Sequence, residues 1–303
     1  MSHLLTVEGL PREEIEEILD TAESFMEVLE RDIPKVPALR GSTVATMFFE
    51  ASTRTRLSFE RAAKALSADV MTFNPGTSSV SKGESLKDTA LTLQAMGCNL
   101  MVVRHQAVGA AHRIAEWVDC PVVNAGDGAH QHPTQALIDC LALRRRFGKL
   151  DGLRVSVVGD IRHSRVARSD AFAFTAMGAS VTWVAPATLL PPSLEMFPVT
   201  ATADLEPQLP DSDVIYLLRV QSERGATSGL PSSSEFAARY GMDLDRLARL
   251  PSEAVVMHPG PINRGVELAG AVADDPRSLI VEQVGVGVAV RMAVLFRLSG
   301  GQL

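Results

Sequence analysis

From residue 11 onward, apolar residues recur at Ile15, Ile18, Leu19, Ala22, Phe25, Met26 and Leu29, the three-, four- and seven-residue spacing of one helical face. Pro11 tolerates a first turn, Glu13 and Glu14 suit the positive end of a helix, and Pro34 and Pro37 end the period. The pattern then alternates. Short apolar runs at 43–49, 69–73, 99–103 and 121–123 read as strands, and the stretches 54–66, 84–96, 107–117 and 134–147 read as helices. The alternation restarts with strands at 153–158, 181–185, 213–218 and 254–257, a helix at 166–177 and a closing helix at 284–298. Strands alternating with helices predict an α/β protein with doubly wound parallel sheets. The polar stretch 147–152 (FGKLDG) separates the two series, so two such domains are expected, with helix 134–147 between them.

Composition narrows this picture. A chain of 303 residues suits about two domains. Apolar residues at 46% and charged residues at 21% describe an ordinary globular protein and exclude collagen, coiled coil and disorder. A net charge of −7 argues against binding nucleic acid through bulk charge, so any anion site must be a local basic cluster. The longest apolar run, 284–296, is too short to span a bilayer and carries Arg291. The first residues show no secretion signal. Cys98, Cys120 and Cys140 have neither disulfide-framework nor zinc spacing and read as small apolar packers in a reducing, cytoplasmic setting.

The candidate chemistry sits where strands end. FFEASTRTRLS, 48–58, places Ser52, Thr53 and Thr55 with Arg54 and Arg56 at a strand-to-helix junction, where hydroxyls, backbone N–H groups and guanidinium converge as they would on a phosphate. TSSVSKGESL, 77–86, is a Ser/Gly loop carrying Lys82, and VRHQ puts Arg104 at the end of another strand. GDGAHQHPTQ, 126–135, holds His130 and His132; HxH without a matching ligand set is poor zinc spacing, and one histidine as a donor to a substrate oxygen, with Gln135 one turn on, fits better. VVGDIRHSRVARS, 157–169, lies where a dinucleotide fingerprint would fall but keeps only Gly159, and offers Arg162, Arg165 and Arg168 instead. YLLRVQSER, 216–224, supplies Arg219, Gln221 and Arg224, and MHPGPINR, 257–264, is a strand followed by a proline-rich turn. With no Walker loop, no Ser/His/Asp set and no metal set, this points to positioning and charge stabilisation of an already activated substrate.

In these motifs the chain resembles the aspartate/ornithine carbamoyltransferase superfamily. FEASTRTR, SSVSKGES, VVRH, HPTQ, VVGDIRHSRVARS, YLLRVQSER and HPGPINRGVE follow the family's order along nearly the whole chain. RVQSER and HPGP favour the aspartate-type members. Ornithine-type members carry a Cys in an HCLP-type turn and a Ser-Met-Gly loop; here Met257 precedes His258 and neither feature is present.

The resemblance implies a carbamoyl-phosphate domain of residues 1–133 plus 285–303 and an aspartate domain of residues 134–284, linked by two helices. It implies transfer of the carbamoyl group of carbamoyl phosphate to the amine of L-aspartate, a step of pyrimidine biosynthesis, with no cofactor or metal. Ser52, Thr53, Arg54 and Thr55 would hold the phosphate, and Arg104 would bridge phosphate and carbonyl oxygen. His132 would donate to that oxygen, and Gln135 would face the carbamoyl NH2 with the Pro259 and Gly260 carbonyls across a cis Gly260–Pro261 bond. Arg165, Arg219 and Gln221 would bind the carboxylates of aspartate. Lys82 would reach carbamoyl phosphate and aspartate from a neighbouring subunit of a homotrimer, together with Ser78 or Ser79. Glu50 would brace Arg165 and Arg224 on domain closure. The family pattern often has Leu or Ala at the place of Gly260. A dihydroorotase or a regulatory chain stays open as a partner; nucleic acid and membrane are not expected. A nicotinamide oxidoreductase, a silent scaffold and an ornithine-type transferase are the rival readings, disfavoured by the missing fingerprint, the full set of motif arginines and the cationic Arg165/Arg219 pair respectively.

Overall fold

The computed structural model describes residues 2–78, 83–220 and 232–301. In chain order the elements are α1 (Arg12–Leu29), β1 (Thr43–Phe48), α2 (Thr53–Ala65), β2 (Asp69–Phe73), α3 (Leu86–Ala95), β3 (Leu100–His105), α4 (Ala110–Ala115), β4 (Val122–Asp127), α5 (Pro133–Phe147), β5 (Arg154–Val158), α6 (Arg165–Ala176), β6 (Ser180–Val184), β7 (Thr200–Thr202), β8 (Val214–Leu217), α7 (Ser233–Tyr240), α8 (Leu244–Ala248), β9 (Val255–Met257), α9 (Gly270–Ala273) and α10 (Ile280–Leu298). They form two compact units, Met1–Leu141 with Gly285–Leu303, and Ala142–Val284. The first unit therefore keeps α5 as far as Leu141, beyond the division expected at residue 133, and α5 and α10 are the two helices that run from one unit into the other.

The first unit carries a four-stranded parallel sheet in the order β2-β1-β3-β4. β1 is buried from Val44 to Phe48, as a central strand covered on both faces should be. On one face Ala45, Met47, Met101 and Val103 pack against Ala90 and Leu93 of α3 and Ala111 and Ile114 of α4. Leu4 adds a further parallel bridge to Val123 at the β4 edge. The second unit carries a five-stranded parallel sheet, β7-β6-β5-β8-β9, with Trp183, Tyr216 and Phe174 fully buried around it.

In both sheets the direction of winding reverses beside the first strand, between β1 and β3 and between β5 and β8. Such switch points open a crevice at the carboxyl ends of the strands, where ligands of doubly wound sheets bind.

Several elements depart from the sequence expectation. The strand expected at 121–123 runs on to Asp127 with all six residues buried, because Asn124 and Asp127 satisfy each other inside the fold: Asn124 Nδ2 donates to Asp127 Oδ1 at 2.8 Å. The helix expected at 107–117 shortens to α4, entered through Gly109 in the left-handed region. β7 and helices α7, α8 and α9 were not expected at all. Cys98, Cys120 and Cys140 are buried thiols. Among the described residues no helix is long and apolar enough to cross a membrane.

Candidate active site

At the first switch point, Phe48 at the end of β1 lies beside Arg104 near the end of β3, and Phe49 N–H donates to the Arg104 carbonyl at 2.8 Å. This register carries the segment 50–55 past the Arg104 side chain. Arg104 Nη2 donates to Glu50 Oε1 at 2.9 Å, and Nη1 reaches Thr55 Oγ1 at 3.4 Å. Ser52 stands at the N-cap of α2 in extended backbone, yet its side chain makes no cap bond. The first-turn N–H groups of a 13-residue helix are thus left uncapped. Thr55 is buried on that turn, with Thr53 and Arg54 exposed at its mouth. Uncapped N–H groups, the positive helix end and two guanidinium groups together make an anion cradle.

The turn from β4 into α5 belongs to the same unit. Asp127, buried, accepts from Asn124, from Gly109 N–H at 2.7 Å, from Gln131 N–H at 3.1 Å and from His130 Nδ1 at 3.0 Å. Burial pushes this carboxyl up, but the hydrogen bonds from His130, Asn124 and Gly109 outweigh it and hold it below the usual carboxylate range. His130 is therefore a brace of the turn. His132, buried, opens α5: its carbonyl accepts Gln135 N–H at 2.9 Å. Gln135 Nε2 donates to Asp139 Oδ1 at 3.0 Å, one helical turn on. A carboxylate only accepts, so the amide must turn its NH2 to Asp139, which leaves Oε1 as an acceptor for a ligand's N–H. Nearby, burial lowers the His105 imidazole below its ordinary value, which suits its Nδ1 as acceptor of Ala107 N–H at 2.9 Å.

The second switch point repeats the layout with different chemistry. Val158 of β5 lies beside Leu217 of β8, and Leu218 N–H donates to the Val158 carbonyl at 2.8 Å. Gly159 follows β5 at φ +136°, and a Cβ there would meet the Leu218 carbonyl oxygen at 2.5 Å. Only glycine lets the two backbones pass this closely. Ser164 caps α6, its hydroxyl accepting Ala167 N–H at 3.1 Å, and Arg165 is buried on the first turn. Arg219, half-buried, follows β8. Arg162 and Arg168, also singled out in the sequence, are drawn elsewhere: Arg162 Nη1 approaches the Thr188 carbonyl at 3.5 Å, and Arg168 lies over the Phe197 ring. Asp160 holds His163 Nδ1 at 2.8 Å.

In the same unit the loop after β9 is pinned from inside. His258 N–H donates to Gln283 Oε1 at 3.1 Å, His258 Nδ1 accepts Gly260 N–H at 2.8 Å, and Nε2 lies 3.4 Å from the buried Glu267. Pro259 and Gly260 are half-buried, and the Gly260–Pro261 bond is cis, as expected. Lys82, Ser79, Gln221 and Arg224 lie outside the described residues. The structure pairs Glu50 with Arg104. Sequence reasoning missed Asp127, Asp139, Ser164 and Glu267. The i,i+4 spacing of Gln135 and Asp139 was the available signal for one of them.

Two parallel-sheet units, with an anion cradle at one switch point and Arg165 and Arg219 at the other, have the layout of a two-domain enzyme of the doubly wound class. The chain belongs to the aspartate/ornithine carbamoyltransferase family: residues 2–145 match the family's carbamoyl-P binding domain and residues 151–298 its Asp/Orn binding domain. Within the family it is 57% identical to the aspartate carbamoyltransferase catalytic subunit of Thermobifida fusca (strain YX), over 100% of this chain and 97% of the relative. Its fold matches crystal structures of aspartate transcarbamoylase from Trypanosoma cruzi. The complex with N-(phosphonacetyl)-L-aspartic acid superimposes at a TM-score of 0.88 with 29% identity, covering 97% of this chain and 95% of that one. The complex with carbamoyl phosphate and aspartate superimposes at 0.87 with 29% identity, covering 97% and 96%.

Proposed function

We propose that this chain catalyses carbamoyl transfer from carbamoyl phosphate to the amine of L-aspartate, giving N-carbamoyl-L-aspartate and phosphate. The observation that carries the reading is the uncapped N-terminus of α2 held beside Arg104 through Thr55 and Glu50. Ser52, Thr53, Arg54 and Thr55 bind the phosphate of the donor. The amine of aspartate attacks the carbonyl carbon; a C–N bond forms, the C–O bond to phosphate breaks, and the amine proton leaves with the phosphate. Negative charge grows on the carbonyl oxygen, where Arg104, Thr55 and His132 donate to it. Gln135 Oε1 and the Pro259 and Gly260 carbonyls accept from the carbamoyl NH2. Arg165, Arg219 and Gln221 take the two carboxylates of aspartate, each guanidinium offering a fork that matches a carboxylate. Glu50 and Arg224 act in domain closure. No step calls for a cofactor or metal.

We further propose a cytoplasmic homotrimer in which Lys82 completes a neighbouring subunit's site, with a regulatory chain or a dihydroorotase as open partners. Three buried thiols suit a reducing compartment. Mixing inactive Lys82→Ala and Arg54→Ala chains should restore activity in hybrid trimers, where one site keeps both residues; no recovery after verified exchange sinks the shared site.

The reaction itself is tested with carbamoyl phosphate and a panel of amino acids. Phosphate release with L-aspartate and not with ornithine is the expected result, because a cationic side chain is repelled by Arg165 and Arg219. Equal or faster turnover with ornithine overturns the assignment.

A further inference from the structure

Arg291 is the one motif-free charge within the long apolar run of α10, and it is only 5% exposed. Its Nη1 donates to Ser58 Oγ at 2.8 Å and to the Gly287 carbonyl at 3.3 Å. Its guanidinium lies over the Phe59 ring, 5.0 Å from the centroid. Ser58 and Phe59 sit on α2 one turn beyond Arg54 and Thr55, the ligand-facing residues of its first turn. The charge of Asp139 also acts on Arg291, and Asp139 sits one turn beyond Gln135 on α5 and holds its amide. Arg291 thus stands one turn behind the ligand-facing ends of two helices at once. Gly287 makes the room: a Cβ there would come within 3.0 Å of Arg291 Nη1 and 3.3 Å of Ile138 Cδ1.

A role in folding alone does not explain this residue. Burying a guanidinium is costly, and an apolar side chain of similar volume is commonly tolerated or better. Burial pushes Arg291 down to about 9 and the neighbouring Arg104 charge pushes the same way, against Asp139, yet the group remains a cation at neutral pH. Arg104 in the α2 cradle and Arg291 behind it are therefore like charges that act on each other. A phosphate dianion arriving there relieves that repulsion, and salt screens a buried charge only weakly.

We infer that Arg291 is a positioning residue for the donor half of the reaction: it fixes α2 through Ser58 and Phe59, balances the Asp139 carboxylate that orients Gln135, and holds a permanent positive charge behind the phosphate. This rests on the carbamoyl-transfer reading above. It differs from a catalytic residue in touching no substrate.

Arg291→Met and Arg291→Lys variants separate positioning from mere packing. In Arg291→Met, KM for carbamoyl phosphate is expected to rise about tenfold or more, the scale of one lost charge interaction with a bound anion, while KM for aspartate stays within about twofold. Arg291→Lys, which keeps the charge and loses the fork, should fall between Met and wild type. Melting curves with and without inorganic phosphate should show a smaller phosphate-induced shift for the Met variant. A lowered kcat with both KM values unchanged would mean only a smaller active fraction, and overturns the inference. If the Met variant does not fold, the Lys variant decides alone, an unchanged KM for carbamoyl phosphate counting against. A wild-type protein that makes no carbamoyl-aspartate overturns the functional reading instead, so the two failures are told apart.

Discussion

At the end of β1 the chain enters α2 with Ser52 at the cap position and no cap bond from its hydroxyl; at the end of β5 it enters α6 with Ser164 in the same place, its hydroxyl bound to Ala167 N–H at 3.1 Å. The rest of the layout is shared. Each switch point has an arginine on the first turn of the following helix, Arg54 or Arg165, and another at the end of the strand across the switch, Arg104 or Arg219. An open helix end with fixed N–H groups suits a phosphate, whose several oxygens take up many donors. A closed helix end leaves only the guanidinium forks, and a fork matches the two oxygens of a carboxylate. The function proposed above accordingly gives phosphate to the half with the uncapped helix and carboxylates to the half with the capped one, both built on the same supersecondary unit.

The comparison breaks most visibly at Arg54. Arg54→Ala should lower turnover at least a hundredfold, the equivalent of about 3 kcal/mol, since the proposed reaction sets this residue against a charged leaving group. Melting should be nearly unchanged, because Arg54 is exposed. Steady-state kinetics with a thermal melt check both halves of the expectation; activity within about tenfold of wild type defeats it.

The next largest effect is on the other side. Phe49 follows β1 in ordinary backbone, whereas Gly159 follows β5 at φ +136° with the Leu218 carbonyl where a Cβ would go. Gly159→Ala should therefore destabilise by about 3 kcal/mol and raise KM for aspartate more than for carbamoyl phosphate, since Arg219 follows Leu218 directly. Urea unfolding gives the first and kinetics the second; a tolerated alanine means that the two backbones can part at little cost.

Asp127 tests the turn of the phosphate half. Its folded pKa lies below the unfolded value near about 3.9, so the unfolded chain binds the proton more readily. The stability it supplies is present above that pH and is lost as pH falls through the folded pKa. Asp127→Asn should cost about 2 kcal/mol at neutral pH, and the gap to wild type should shrink on acidification below about pH 4. A gap independent of pH would assign the cost to shape instead of charge.

How far the sequence carried each half has physical reasons. Short apolar runs marked most strands of both sheets, and STRTR and HPTQ stood out because polar clusters directly after buried strands have few uses in a core. β4 was cut short because Asn124, Gly126 and Asp127 read as a turn; only long-range packing shows that they are buried and mutually bonded. β7 is two exposed residues and one half-buried one, with no apolar period to find. For α7 a signal existed: Ser232 with Glu235 three residues on is a capping box, and Ser232 Oγ accepts Glu235 N–H at 3.1 Å. Arg291 was legible only as a charge that argued against a membrane span, since its partners on α2 are 233 residues away. Nor could the sequence tell a capping serine from an uncapped one, because both precede an Arg-bearing first turn, and the two differ in backbone φ (−159° at Ser52, −95° at Ser164) and in where the hydroxyl bonds.

The cap bond is the subject of the smallest and most discriminating change. Ser164→Ala removes a real cap and should cost about 1 kcal/mol of stability, with carbamoyl phosphate KM unchanged. Ser52→Ala removes a hydroxyl that caps nothing, so its stability should stay within about 0.5 kcal/mol of wild type. Its cost should appear only with ligand present, as a several-fold higher KM for carbamoyl phosphate and a smaller melting shift on adding phosphate, because the proposed reading gives the hydroxyl to the anion. Paired thermal melts, each with and without phosphate, read all four quantities. If Ser52→Ala destabilises the free protein as much as Ser164→Ala does, both helices are capped alike, and the phosphate half owes its selectivity to Arg54 and Arg104 alone.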